Sequence, residues 1–190
     1  MPVRIIGIAG SLRVRSNNAM LLQAAVASAG DAATIDVASI VDIPLYNFDV
    51  EEQGIPGAVT ALKERIAAAD GLLLVTPEYN NSLPGVLKNA IDWLTRPASD
   101  IPRVFHDLPV AVIGASNGQG GTGLAQLAWL PVLRTLRMKA WFGGRLQLPN
   151  ADEVFDESGR IVDEGVRKRI ERFVRGFAQF VDENRRKERT

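Results

Sequence analysis

Short apolar runs alternate with segments of helical periodicity along the whole chain, the pattern of a parallel sheet with helices on both faces. Val3 to Ala9 predicts a first strand, and Asn17 to Ala29 a helix with Leu21, Ala24, Ala25 and Ser28 at helical spacing. Thr34 to Ser39 alternates apolar and polar residues and predicts a less buried second strand. After an extended turn at Ile43 to Asn47, Pro56 opens a helix to Ala69 with an apolar stripe of Val59, Leu62 and Ile66. Gly71-Leu72-Leu73-Leu74-Val75 reads as a strand buried on both faces. The following helix carries Val86, Leu87, Ala90, Ile91 and Leu94 on one side. Pro109 to Ile113 predicts a fourth strand, and Gly123 to Leu136 a helix that Pro131 must kink or interrupt. Lys139 to Phe142 and Arg145 to Leu148 predict a fifth strand broken at Gly143-Gly144. Asp156 to Gly159 is a turn within a hairpin-like excursion. A closing helix runs from Glu164 to about Arg186 on a stripe of Val166, Ile170, Phe173, Val174, Phe177 and Val181, with residues 182–190 expected to fray.

Composition removes function classes more than it adds them. A chain of 190 residues suits one domain with a two-sided core, and no repeat or linker divides it. With 22 basic and 22 acidic side chains, no net field draws it to nucleic acid or an anionic membrane. The basic face Arg167, Lys168, Arg169, Arg172 and Arg175 is interleaved with acids and reads as solvated. No cysteine is present, which rules out disulfides, thiolate metal sites and a cysteine nucleophile, and one histidine, His106, cannot build a multi-histidine metal site. The first apolar run is too short for a signal peptide, and no run approaches the roughly 20 residues of a membrane span. A cytoplasmic protein is expected. Trp93, Trp129 and Trp141 suit core or rim packing as well as a subunit interface.

The chemistry gathers in three polar loops at the carboxyl ends of strands one, three and four, where open α/β sheets bind ligands. In the first, Gly10-Ser11-Leu12-Arg13-Val14-Arg15-Ser16-Asn17-Asn18 runs into a helix N-terminus, which favours an anion. Ser11 and Ser16 offer hydroxyls, Asn18 an amide, and Arg13 or Arg15 a charge suited to phosphate. Neither the Gly-Lys-Ser/Thr of a P-loop nor Gly-x-Gly-x-x-Gly occurs there, and Ser16 or Asn17 also suits simple helix capping. The second loop, Thr76-Pro77-Glu78-Tyr79-Asn80-Asn81-Ser82-Leu83-Pro84-Gly85, presents a ring, amides and backbone N–H groups but no nucleophile, as a holder for a flat, polar-edged molecule would. The third, Gly114-Ala115-Ser116-Asn117-Gly118-Gln119-Gly120-Gly121-Thr122-Gly123, lets backbone amides approach a ligand closely. It contains a Gly-x-Ser-x-Gly match, yet no histidine follows Ser116, and His106 belongs at the opposite end of the sheet. A serine without a base is a poor nucleophile, so a hydrolase is disfavoured. An anion cradle beside two ring-clasping loops is met most economically by FMN at a flavodoxin-like switch point, although a nucleotide also fits.

Gly10-Ser11-Leu12-Arg13…Ser16…Asn18 together with Thr76-Pro77-Glu78-Tyr79-Asn80…Ser82…Pro84-Gly85…Leu87-Lys88-Asn89-Ala90-Ile91-Asp92-Trp93 resembles the NADPH-dependent FMN reductase family, near the bacterial chromate/quinone reductases and azoreductases. The resemblance spans about residues 3 to 180. It implies a flavodoxin-like three-layer sandwich with a five-stranded parallel sheet in the order 2-1-3-4-5, non-covalent FMN, and a homodimer or homotetramer. It also implies ping-pong hydride transfer from NADPH or NADH through FMN to a small-molecule acceptor: a quinone, flavin, azo dye or oxidised metal. Carried over by position, Ser11, Arg13, Ser16 and Asn18 would bind the phosphate. Pro77, Glu78, Tyr79 and Asn80 would line the isoalloxazine, and Ser116, Asn117, Gly118 and Gly120 would border its other edge. No side chain is then a catalyst, and Glu78 is assigned a loop hydrogen bond or a helix-start charge. Asn81 stands where those relatives often carry Tyr. Gly123 and Gln126 stand where they carry the Arg and Tyr of a tetramer contact, so neither that contact nor chromate specificity transfers on this motif. The alternatives are an electron-carrier flavodoxin, disfavoured by zero net charge and Arg13, and a nucleotide-binding module without redox activity.

Overall fold

The computed structural model describes residues 1–185, and its centre is a parallel sheet in the order β2-β1-β3-β4-β5 with β6 also paired to β4. The strands are β1 Val3–Ala9, β2 Ala33–Ala38, β3 Gly71–Val75, β4 Pro109–Ala115, β5 Lys139–Ala140 and β6 Gln147–Leu148. Between and after them run α1 Asn17–Ala27, α2 Phe48–Gln53, α3 Gly57–Ala67, α4 Gly85–Leu94, α5 Ile101–Phe105, α6 Gly123–Thr135, α7 Ala151–Val154 and α8 Glu164–Glu183. Strand side chains alternate between two cores because the side-chain period of a strand is two. Ile5, Leu73 and Ala111 pack beneath α1 and α8. Ile6, Leu72, Leu74 and Val110 pack beneath α3, α4 and α6. The predicted three layers and strand order are therefore present.

Several local expectations need correction. The fifth strand is two short pieces that pair with opposite ends of β4, Pro109↔Lys139 at one end and Ala115↔Leu148 at the other, while Trp141 to Leu146 loops out between them. Pro131 does not interrupt α6, which runs through it. The ring lies on the exposed side of the helix. The short helices α2, α5 and α7 were not expected, because six, five and four residues carry too little periodicity to read. Trp93 and Trp129 are fully buried core residues rather than interface cover. Asp182 and Glu183, expected to fray, close α8, and Arg185 bonds Asp182 and the Met1 carbonyl. The rest of the expected frayed tail, 186–190, lies outside the described residues.

Candidate functional site

The three loops leave the carboxyl ends of β1, β3 and β4, and the backbone demands there fix their shapes. The ladder between β3 and β4 ends at Val75↔Ile113, with one further bond from Thr76 N to the Ile113 carbonyl. Ala115, two residues on, turns its N–H and C=O to that same side, where β3 no longer runs beside it, while β6 pairs its other edge. Asn18 fills that place: its Oδ1 accepts from Ala115 N and its Nδ2 donates to the Ala115 carbonyl, both at 2.9 Å, and the residue is only 4% exposed. The first loop is thereby pinned to the end of β4. A second tie joins Asn17 Nδ2 to Asn117 Oδ1 at 2.8 Å. Gly114 is obligatory here, since a Cβ on it would lie 2.1 Å from the Thr76 carbonyl oxygen.

Ser16 caps α1, its Oγ accepting from Asn18 N and Ala19 N, so it occupies two of the N–H groups that a helix N-terminus leaves free. Its hydroxyl proton remains available as a donor. The structure separates the two loop arginines. Arg15 turns away to the Glu157 carbonyl at 2.8 Å. Arg13 stays with the loop, held only by a long 3.5 Å contact to Asn17 Oδ1, and pairs with no carboxylate among the described residues.

The second loop is a tight hairpin. Tyr79 and Ser82 exchange both backbone bonds, and the two residues between them, Asn80 and Asn81, have φ of 51° and 60°. Positive φ at both central positions is the signature of a type I′ turn, for which asparagine is well suited. The requirement explains Asn81: the position needs a left-handed backbone. Tyr79 is half-exposed, its hydroxyl 3.5 Å from Ser11 Oγ. Glu78 Oε2 accepts from Ala125 N at 3.0 Å in the first turn of α6, so its charge meets the helix dipole. At the base of this loop, Trp129 Nε1 donates to buried Thr76 Oγ1. In the third loop Ser116 Oγ accepts from Gly118 N in a turn, and the chain's single histidine, His106, lies before β4 at the far end of the sheet.

Two adjoining hollows result. A cleft of about 230 Å³ is lined by Ser11, Arg13, Ser16, Asn18, Pro77, Glu78, Tyr79, Ser116 and Asn117, together with Asn17. A larger cavity of about 680 Å³ shares Glu78 and Ser116 with it and adds Gly118 and Gly120. Its walls are Leu124, Leu127 and Leu130 of α6 facing Trp141, Phe142 and Arg145. Among the described residues no group of acidic or histidine side chains is placed to hold a metal ion.

Residues 3–153 match the profile of the NADPH-dependent FMN reductase family. The chain belongs to that family. It is 40% identical over 179 residues to an NAD(P)H-dependent FMN reductase of Pseudomonas aeruginosa, covering 94% of this chain and 95% of that one. It is 37% identical over 185 residues to a 2-hydroxy-1,4-benzoquinone reductase of a Burkholderia species, covering 97% and 100% of the two chains. A solved flavoenzyme NAD(P)H:(acceptor) oxidoreductase of Paracoccus denitrificans superposes with a TM-score of 0.87 at 32% identity, covering 97% of this chain and all of that one.

Against this FMN reductase frame, the predicted site residues fall into three groups. Ser11, Arg13, Ser16, Pro77, Tyr79, Ser116, Asn117, Gly118 and Gly120 line one or both hollows. Asn18 and Glu78 also line the cleft, but each spends its side chain bracing another element. Asn80 lines neither hollow and forms the exposed apex of the hairpin. The apolar wall of α6 and the Trp141–Arg145 loop were not anticipated as site residues. An exposed leucine at every third position from Leu124 to Leu130 was the available signal, masked by the longer amphipathic stripe of the same helix.

Proposed function

We propose that the chain is an FMN-dependent NAD(P)H oxidoreductase that reduces small-molecule acceptors, quinones foremost, by a ping-pong route. The observation that carries this reading is the continuity of an anion cradle with a larger, apolar-walled cavity across Glu78 and Ser116. The donor set fits FMN: two serine hydroxyls and the unopposed Arg13 guanidinium suit a phosphate dianion. A tyrosine face and glycine-rich backbone suit a flat ring, and 680 Å³ lies within the size range of ligand pockets, about 300–1,000 Å³. Bound FMN supplies the hydride and electron chemistry. The protein's part is positioning. Ser11, Ser16 and Arg13 would hold the phosphate, Tyr79 would pack along the flavin, and the Gly120 N–H would serve the ring edge where negative charge develops, beside Gly118, whose own N–H is given to Ser116 Oγ. Leu124, Leu127, Leu130 and Phe142 give the larger cavity an apolar wall that favours an aromatic acceptor.

The same reading makes residues 1–190 one flavodoxin-like domain, because both cores flank one sheet, and has it act in the cytoplasm. It also makes the chain a homodimer or homotetramer, a state supported by the half-exposed leucine wall of α6 and measurable by sedimentation. Gln126 is already bonded to Thr122 Oγ1 and the Leu146 carbonyl, so a tetramer contact at that position is not part of the proposal. Arg13→Ala tests the assignment. Loss of charge-assisted bonds worth about 1.5–3 kcal/mol should weaken FMN binding roughly 10- to 100-fold by fluorescence titration. Unchanged affinity refutes the phosphate assignment. Rapid anaerobic bleaching of the yellow protein by NADPH separates this enzyme from an electron carrier, which would need a partner reductase.

A further inference from the structure

The basic face of α8 is not uniform. Arg167 and Lys168 both turn to Glu164, within the same helical turn. Arg169 and Arg172 belong to a different stripe, shared with Phe173 and Gly176, that faces the Trp141–Arg145 loop. With Arg145 they line a groove of about 390 Å³ in which no acidic side chain takes part. Among the described residues none of these three guanidinium groups has an ion pair or a side-chain hydrogen bond. Like charges gathered without a counter-ion repel one another, and a bound anion reverses that sign.

The groove is also built rather than incidental. Trp141 forms its floor, edge-on to Phe173 with ring centroids 4.8 Å apart and tilted against Phe177 at 5.7 Å. A Cβ on Gly176 would lie 3.0 Å from the indole, so the absent side chain lets the ring rest on the helix. Trp141, Gly144 and Arg145 line both this groove and the larger cavity beside Gly118 and Gly120. A ligand with one end against the flavin loops can therefore lay its other end among the arginines.

We propose that the Arg145–Arg169–Arg172 groove binds the 2′-phosphate of NADPH, so that this chain selects NADPH over NADH. The inference rests on the flavin reading for the place of the nicotinamide end. Arginine forks match a phosphate dianion, whereas a site for the bare ribose of NADH offers a carboxylate to its 2′-hydroxyl, and the groove has none.

Titration calorimetry of the FMN-loaded protein with adenosine 2′,5′-bisphosphate and with AMP reads the groove without turnover. The bisphosphate should bind about tenfold or more tightly than AMP, with a preference that falls as salt rises. Arg169→Ala/Arg172→Ala should remove most of that preference, and Arg145→Lys should retain part of it. In stopped-flow reduction the NADPH-to-NADH ratio of the double variant should fall toward one. Equal binding of the two nucleotides by the wild type, or an unchanged preference in the folded double variant, overturns the proposal. The two readings fail separately. A protein that ignores FMN yet binds the bisphosphate through these arginines loses the flavin reading and keeps the groove. A flavoprotein indifferent to the 2′-phosphate does the reverse.

Discussion

Replacing Asn18 by alanine distinguishes a brace from a ligand. The family resemblance gives Asn18 to the FMN phosphate, but its carboxamide is occupied by Ala115, whose N–H and C=O have lost their strand neighbour beyond Val75↔Ile113. The alanine variant leaves both backbone groups without that partner at a residue only 2% exposed. An unsatisfied buried group costs about 1–3 kcal/mol, so two cost about 2–6 kcal/mol. For a chain of this size the melting temperature should fall roughly 5–20 °C. The assay is thermal unfolding of the apoprotein, followed by the same melt with saturating FMN. A brace lowers the apoprotein melt by that amount and weakens FMN binding as a consequence, because the first loop is no longer pinned to β4. A pure phosphate ligand would leave the apoprotein melt unchanged and reduce only the stabilisation that FMN adds. An apoprotein shift below about 1 °C would falsify the argument, since it would mean that water satisfies Ala115 at little cost.

Other expectations follow from single contacts. Glu78→Gln keeps an acceptor for Ala125 N but removes the charge at the α6 N-terminus, so it should cost about 0.3–1 kcal/mol in urea unfolding. The pH profile of turnover should not change, and a lost acidic limb would make Glu78 a proton donor after all. Asn81→Val places a β-branched residue at φ 60° and should destabilise by about 1–2 kcal/mol, while Asn81→Gly should be tolerated. Equal stability of the two variants would contradict the turn assignment. Asp156 is held at a pKa of about 2 by the Ser158 hydroxyl and the Arg160 backbone and side chain. A depressed carboxyl contributes stability that is complete above its unfolded value near 3.9 and is lost as pH falls toward 2. Carboxyl NMR should therefore show Asp156 still ionised at pH 3, and a midpoint near 3.9 would remove the contribution.

Much of this architecture was legible before any coordinates. The uniformly apolar run at Leu72–Val75 and the alternating apolar and helical segments determine strands, helices and parallel order, because burial on one or both faces imposes its own period on the sequence. Three polar loops at strand ends likewise announce the ligand edge of such a sheet. Local periodicity carries no information about what a side chain meets across space. Arg13 and Arg15 are equivalent as sequence, and only the neighbouring 156–160 turn takes one of them away. Asn18 reads as a phosphate ligand, and only the end of the β3 ladder turns it into a brace, while the helix-start charge read for Glu78 finds its helix, α6, only in the folded chain. Arg169 and Arg172 read as a solvated face until the Trp141 loop, about thirty residues earlier in the chain, packs beside them to form a groove. The chain's own pattern sets which groups are buried, whereas which buried or charged groups find partners depends on contacts between distant segments, and those exist only once the sheet is assembled.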